Sequence, residues 1–347
     1  MNTDARPRTA VLLQQNGMGD LVWHAEYFRR IAETSRDGQV TLIAPPTVMA
    51  RELLGHEPWL CEVVDFDRRP RRSENRRGRH SGLAGLLRFA RELAPRRLER
   101  IVLFSDHPAR ALFVAWRAGI ATRLGYGTTW LQRRLLTPSR WISPYEGPAV
   151  ASYKDASAFA IAQGWCDAPL VPRVTVRPDA LERMRARLAP LARPLHALAI
   201  GASEPFKQWG EAHFVELASL LAARGHGVLL LGGPAEAALA QAILARIDTG
   251  LRTNVAAMTD GSVADSVAAL SLAQSCVGND TGVVNMAAAV GTPTFVVLGP
   301  RPPLEHDPQT MRLLQAPSLQ DIRATDVASQ TLRALAVSQR GPRGTAP

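Results

Sequence analysis

The chain has 347 residues, of which 46% are hydrophobic and 21% are charged. This length and composition are typical of a globular protein with two domains and exclude large-scale disorder. We expect a cytoplasmic protein, because no apolar run reaches the roughly 18 residues that cross a bilayer and residues 1–8 are too polar for a signal peptide. The cysteines Cys61, Cys166 and Cys276 lie far apart and predict buried free thiols rather than disulfides or a zinc site.

Strands and helices alternate along most of the chain. The residue pattern of the first half predicts strands at residues 10–14, 40–44, 62–65 and 100–104 and helices at 83–93 and 108–118. The second half predicts strands at 196–200, 228–231, 275–278 and 294–298, with amphipathic helices between them. This alternation indicates an α/β protein with doubly wound parallel sheets.

A proline-spaced segment at residues 168–178 interrupts the alternation. We therefore place one domain at residues 1–172 and a second at 173–338. The last predicted helix, residues 325–337, is expected to pack on the N-terminal domain. Residues 339–347, rich in Gly, Pro and Arg, predict a disordered tail.

Three of the predicted strands run into a small-residue loop with a reactive side chain and then into a helix. The loops read NGMGD at residues 16–20, GASEPFKQW at 201–209 and GNDTG at 278–282. Ligands of open α/β sheets bind at the carboxyl ends of strands. The three loops are therefore predicted to face one cleft.

The GNDTG loop has the composition of a phosphate site with a carboxylate beside it. Unpaired backbone N–H groups at a helix start favour an anion, so Thr281 and the Gly282 N–H are predicted to hold phosphate oxygens. Asp280 could accept hydroxyls of a ribose or another sugar. The alternative is an ordinary helix cap, since Asp and Thr are standard helix starters.

Charge is concentrated in one segment. The net charge is +10, and residues 68–79 alone hold seven Arg against one Glu. This segment suits an anionic partner on a membrane surface, but a solvated loop or a nucleic-acid contact would also fit the charge. Asp65 and Asp67 just before it have the Asp-x-Asp form of some metal sites, which the neighbouring arginines oppose.

These motifs, in this order, resemble glycosyltransferase family 9, the ADP-heptose:lipopolysaccharide heptosyltransferases and their relatives. The resemblance rests on GMGD at residues 17–20, on residues 201–203 with Lys207 and Trp209, on LGGPAE at 231–236 and on GNDTG at 278–282. Many members have His where this chain has Asn285. The resemblance implies the GT-B fold, in which two Rossmann-like domains face a central cleft.

The resemblance also implies a reaction: metal-independent transfer of a sugar, with inversion, from a nucleotide sugar such as ADP-heptose to an anionic lipopolysaccharide-core or related glycan. The predicted catalytic residues are Asp20, as general base, and Lys207, which stabilises the leaving diphosphate. The predicted donor-binding residues are Ser203, Lys207, Gly232, Gly233, Glu236, Met258, Asp280, Thr281 and Gly282. The predicted acceptor-binding residues are Gly19, His24, Arg71, Arg72, Arg76 and Arg77.

Several roles have competing interpretations. Asp20 could simply cap the helix that follows it, and His24 could be a helix histidine whose hydrogen bonds are made within the protein, rather than a ligand contact.

No cofactor or nucleic-acid partner is expected, and the only predicted membrane contact is a peripheral one at the inner face of the cytoplasmic membrane.

Two other functions remain open from the sequence. A nicotinamide-dependent Rossmann oxidoreductase would explain Gly17-Met18-Gly19, although Val22 stands where the third glycine of that fingerprint belongs. A non-catalytic protein that binds a nucleotide sugar would explain the same pocket residues.

Overall fold

The computed structural model describes residues 5–68, 76–147, 151–303 and 307–339, with backbone alone at 151, 152 and 335–339. The chain forms two compact units, Met1–Pro172 and Arg173–Pro347. The predicted tail at residues 339–347 lies outside the described residues, apart from the backbone of Gln339.

The first unit contains a five-stranded parallel sheet in the order β3-β2-β1-β4-β5. Its strands are β1 Thr9–Leu13, β2 Val40–Ala44, β3 Leu60–Asp65, β4 Arg100–Phe104 and β5 Thr122–Gly125. Its helices are α1 Met18–Glu33, α2 Ala50–Leu54, α3 Gly82–Leu93, α4 Ala109–Arg117, α5 Trp130–Leu135 and α6 Ala151–Ala162.

The central strands of this sheet are apolar on both faces. Every residue of β1 and β2 is buried, as expected for parallel strands that are covered by helices on each side. Leu86, Phe89 and Leu93 of helix α3 are buried in the core. The Phe89 ring stacks there on the Phe66 ring, with the ring centroids 4.4 Å apart.

The second unit contains a six-stranded parallel sheet in the order β11-β10-β9-β6-β7-β8. Its strands are β6 Leu195–Ala199, β7 Gly227–Leu231, β8 Val255–Met258, β9 Ser275–Asn279, β10 Thr294–Val297 and β11 Met311–Leu314. Its helices are α7 Pro178–Leu188, α8 Glu211–Ala222, α9 Ala237–Arg246, α10 Val263–Leu272, α11 Gly282–Ala289 and α12 Ala324–Gln339.

The last helix contributes to the core of the second unit. Helix α12 contacts α8, and its residues Ala324, Val327 and Ala328 are buried in the cluster that also holds Leu217 and Leu221 of α8. The predicted packing of this helix on the N-terminal domain stays a prediction.

The α/β class with two parallel sheets is confirmed, but three strands were missed. The strands β5, β8 and β11 each have only four residues, and half-buried positions interrupt their apolar character. Such short edge elements carry little periodicity.

The cysteine prediction was partly wrong. All three thiols are free, as expected, and Cys276 is buried, yet Cys61 is exposed. Cys61 lies on the edge strand β3, where alternate side chains point away from the core. Within the described part of the chain, no helix is long and apolar enough to cross a membrane.

Strand order reverses once in each sheet. In the first unit the reversal lies between β1 and β4, and in the second it lies between β6 and β9. Loops that leave the carboxyl ends of strands on either side of such a reversal diverge and open a crevice. The GNDTG loop after β9 and the GASEPFKQW loop after β6 leave neighbouring strands at this point.

Candidate functional site

Lys207 and Asp280 meet at the strand-order reversal of the second unit. The Lys207 Nζ atom lies 3.3 Å from Oδ2 of Asp280 and 3.7 Å from Oε2 of Glu204. The Asp280 side chain is 13% exposed, whereas that of Glu204 is 53% exposed. The ion pair with Asp280 is therefore the less solvent-screened of the two.

A second cation on Asp280 was not predicted from the sequence. Arg301, in the loop after β10, donates from Nη1 to Oδ2 of Asp280 at 2.6 Å. Strand β10 pairs with β9, so the loops after both strands leave the same edge of the sheet. The sequence did contain a signal for this residue. Arg301 follows the predicted strand at residues 294–298 closely, just as Lys207 follows the predicted strand at 196–200.

A buried asparagine holds the two loops together. The Asn279 amide donates to the carbonyls of Ile200 and Gly201 at 3.1 and 2.9 Å, and its Oδ1 accepts from the Trp209 backbone N–H at 2.9 Å. Gly278 permits the strands to approach, because a Cβ there would overlap the side chain and carbonyl of Ala199. The position of Lys207 relative to Asp280 thus depends on backbone contacts across β6 and β9.

The start of α11 presents a hydroxyl group without a hydrogen-bond partner. The Oγ1 atom of Thr281 is buried and has none within the described residues. Asn285, one turn later, donates from Nδ2 to the Thr281 carbonyl at 2.9 Å. Asn285 is therefore bound to its own helix, and Thr281 does not cap α11 with its side chain.

The loop after β7 lies beside the loop after β6. The Gly232 N–H donates to the Met258 carbonyl at 3.2 Å, and Glu236 accepts from the Gly233 N–H at 2.8 Å. A Cβ at Gly201 would lie 3.1 Å from Cδ of Glu236. Met258 is fully buried and Ser203 is exposed.

The first unit holds Asp20 in the first turn of α1. Its Oδ2 accepts from the Gly17 N–H at 3.0 Å, and its Oδ1 accepts from the Tyr153 hydroxyl at 3.3 Å. The Tyr153 ring stacks on Trp23 with centroids 4.6 Å apart. The capping contact that the alternative interpretation of Asp20 requires is present, and the catalytic role stays a prediction. Tyr153 of α6 is a neighbour that sequence spacing did not indicate.

His24 lies inside the first unit. Its side chain is fully buried, and Nδ1 donates to the Asp20 carbonyl at 2.6 Å. Burial lowers the pKa of His24 below its usual value, so the neutral ring is favoured. This geometry favours the interpretation of a helix histidine, while a contact with an acceptor stays a prediction. Gly19 beside it is also buried.

The arginine-rich segment is described only at its ends. Arg71 and Arg72 lie outside the described residues. Arg76 pairs with Asp67 at 2.9 Å, Arg51 pairs with Asp65 at 2.8 Å, and Arg77 is exposed. Both carboxylates of the Asp-x-Asp sequence thus have arginine partners, and within the described ranges no group of His, Cys, Asp and Glu is arranged to hold a metal.

A cavity of about 540 Å³ lies in the first unit beside the loop after β4. Its walls include Leu112, Leu131 and Leu135, and its polar groups include Asp106 and Asp155. Burial raises the pKa of Asp155 above its usual value. The cavity therefore offers a mostly apolar surface with a few acceptor groups.

Comparison with known proteins identifies relatives that share this organisation. The sequence model of glycosyltransferase family 9 (heptosyltransferase) matches residues 86–330. Lipooligosaccharide heptosyltransferase 2 of Haemophilus influenzae is 29% identical over 160 residues, which are 42% of this chain and 46% of the relative. The alignment thus spans less than half the length of that curated relative.

Two solved heptosyltransferases have the same fold. ADP-heptose LPS heptosyltransferase II of Escherichia coli superposes with a TM-score of 0.75 at 20% identity, over 96% of this chain and 100% of that chain. The E. coli heptosyltransferase WaaC with ADP-2-deoxy-2-fluoro heptose superposes with a TM-score of 0.69 at 18% identity, over 94% and 99%. The predicted GT-B fold is confirmed by this likeness, and the sequence match shows that the chain belongs to glycosyltransferase family 9.

Proposed function

We propose that this protein transfers a heptose from ADP-heptose to a hydroxyl group of an anionic lipopolysaccharide-core or related glycan, with inversion at the anomeric carbon. The observation that carries the proposal is the pairing of Lys207 with Asp280 at the carboxyl ends of neighbouring strands. Thr281, whose hydroxyl lacks a hydrogen-bond partner among the described residues, lies next to that carboxylate.

The donor side of the proposal belongs to the second unit. Lys207, Thr281 and the Gly282 N–H bind the diphosphate, Glu236 accepts ribose hydroxyls, and Asp280 accepts hydroxyls of the sugar. Ser203, Gly232 and Gly233 line the nucleotide. Met258, which the sequence also placed there, is fully buried and has no exposed surface for such a contact. The positive charge near the diphosphate stabilises the negative charge that grows on the leaving group. This stabilisation lowers the activation free energy of sugar transfer without a metal.

The acceptor side of the proposal belongs to the first unit. Asp20 takes the proton of the attacking acceptor hydroxyl while the oxygen of that hydroxyl bonds to the anomeric carbon. The bond between the anomeric carbon and the phosphate oxygen breaks at the same time, and ADP leaves. Tyr153 supports this role because its contact of 3.3 Å with Oδ1 orients the carboxylate. Residues 17–20 precede the segment matched by the family, so the role of Asp20 depends on its geometry and motif.

The arginine-rich segment is proposed to attract the acceptor. Arg71, Arg72, Arg76 and Arg77 supply positive charge that attracts phosphate and carboxylate groups at the inner face of the membrane. The protein then acts as a cytoplasmic enzyme with peripheral membrane contact. Arg76 already pairs with Asp67, so Arg77 is the better candidate of the two for direct contact.

Thermal unfolding with ADP, UDP, GDP and NAD, together with a transfer assay using ADP-heptose, tests the proposal. We expect ADP and ADP-heptose to raise the melting temperature and a heptosylated product to form. Stabilisation by NAD alone would favour the oxidoreductase, and binding of ADP-heptose without transfer would favour a non-catalytic binding protein. A preference for UDP would contradict the ADP donor.

A further inference from the structure

Arg301 is bound through only part of its guanidinium group. Its Nε donates to the Leu298 carbonyl at 3.2 Å and its Nη1 donates to Asp280 at 2.6 Å. Its Nη2 is buried and has no hydrogen-bond partner among the described residues. Buried N–H donors are nearly always paired in folded proteins, so Nη2 lacks a partner that a ligand could supply.

The guanidinium group also lies over an aromatic ring. The guanidinium carbon lies 5.9 Å from the centroid of the Phe206 ring, and Phe206 is 61% exposed. Phe206 directly precedes Lys207 in the loop after β6. This cation–π contact connects Arg301 to the loop that carries the other cation.

The local charge favours an anion. Asp280 carries one negative charge and is contacted by the positive charges of Lys207 and Arg301. The second carboxylate near Lys207, that of Glu204, lies 3.7 Å away and is 53% exposed, so solvent screens its charge. The less exposed groups Lys207, Arg301 and Asp280 therefore leave one positive charge in excess at the edge of the sheet. The buried Thr281 hydroxyl, also without a partner in the described part of the chain, adds a second free donor next to Asp280.

We propose that Arg301 is a diphosphate-binding residue of the second unit and that its Nη2 group contacts the phosphate attached to the sugar. The planar guanidinium group of an arginine can donate to two partners at once. In Arg301, Nη1 binds the carboxylate of Asp280, which orients the group, and Nη2 is left to bind an anion. Arg301 then selects nucleoside diphosphates over monophosphates. This inference rests on the proposed function, because it assigns a residue to the donor site.

Affinity for ADP and AMP, measured by calorimetry, tests the inference with wild type, Arg301→Gln and Arg301→Lys. We expect Arg301→Gln to weaken ADP binding by about tenfold to a hundredfold, the usual effect of losing a charged hydrogen bond, and to leave AMP binding nearly unchanged. Arg301→Lys should recover only part of the loss, because it keeps the charge without the planar fork.

Arg323→Gln is the matched control, since Arg323 is exposed and pairs only with nearby Asp326 in the described structure. An unchanged ratio of ADP to AMP affinity in folded Arg301→Gln would overturn the inference and leave the proposed function standing. If no nucleotide binds the wild type, the proposed function fails, and inorganic pyrophosphate becomes the probe. Pyrophosphate binding that weakens at least about tenfold in Arg301→Gln would then support the inference, and equal or absent binding would overturn it.

Discussion

The Lys207 ammonium lies 3.3 Å from Oδ2 of Asp280, although the two residues belong to loops that follow different strands. Their strands β6 and β9 are hydrogen-bonded neighbours, and Asn279 binds the backbone of the loop after β6. The pair is therefore held by the sheet and not by local sequence.

Replacing Lys207 tests its role with the leaving group. Lys207→Ala should lower turnover by about a hundredfold or more, since its positive charge is proposed to stabilise the negative charge that grows on the leaving diphosphate in the transition state. Single-turnover transfer from ADP-heptose measures the effect. Glu204→Gln, which removes only the exposed partner at 3.7 Å, serves as the control and should stay near wild type. Wild-type turnover in folded Lys207→Ala would end this assignment.

Substitutions of Asp20 and Asp280 should have different effects on donor binding and on sugar transfer. Asp20→Asn should bind ADP-heptose as the wild type does while transfer falls by about a hundredfold to ten-thousandfold, the range for positioned proton transfer. Asp280→Asn should weaken donor binding, because the carboxylate is proposed to accept sugar hydroxyls and also pairs with Lys207 and Arg301.

Calorimetry with ADP-heptose and single-turnover transfer measure both acid variants. The Asn side chain keeps an oxygen that can accept from the Gly17 N–H, so a residue that only caps α1 would lose little of either property. Full transfer by Asp20→Asn would remove Asp20 from the mechanism.

The arginine-rich segment should affect the acceptor and not the donor. Replacing Arg71, Arg72 and Arg77 with Gln should raise the KM for an anionic acceptor at low salt and reduce the dependence of that KM on salt, while ADP binding is unchanged. Arg76→Gln is tested separately, because loss of its contact with Asp67 also affects folding. Equal acceptor kinetics at low and high salt would indicate a solvated loop.

Asn279 should be important for stability and for the site. Asn279→Ala removes the amide that pairs with two carbonyls and with the Trp209 N–H. Leaving such buried groups unpaired should lower the free energy of unfolding by about 2 kcal/mol or more. Urea denaturation measures this loss, with exposed Gln330→Ala as the control. A change no larger than that of the control would contradict the structural role of Asn279.

A buried histidine, His196, should make stability depend on pH. His196 contacts Ser275 at 2.8 Å and His226 at 2.9 Å, and burial lowers the pKa of His196 to about 4. The unfolded chain binds the proton more readily, so this contribution is present above the unfolded pKa of about 6.5 and is lost as pH falls towards 4.

Between pH 7 and pH 5 the contribution of His196 to the free energy of unfolding should fall by about 2 kcal/mol. Urea denaturation at both values measures the loss, and His196→Gln should lose less than the wild type over the same interval. An equal loss in the two proteins would show that other groups cause the acid sensitivity.

The sequence by itself determined the α/β class, most of the strands and the loops that carry Lys207 and Asp280. Buried parallel strands such as β2 and β7 are mostly apolar runs, and glycine-containing loops mark the carboxyl ends of β6, β7 and β9. These signals are local, so they survive in the sequence without any knowledge of the neighbouring strand. The short strands β5, β8 and β11 lacked such a signal.

Only the tertiary structure decided which residues of those loops meet. The pairing of β9 with both β6 and β10 brings Arg301 to Asp280 and Asn279 to the loop that holds Lys207, and helix α6 brings Tyr153 to Asp20. These partners lie far apart along the chain, so no local spacing predicts them. The loops of the second unit meet because parallel strands place the loops at their carboxyl ends on one edge of the sheet, whereas Tyr153 reaches Asp20 from a helix.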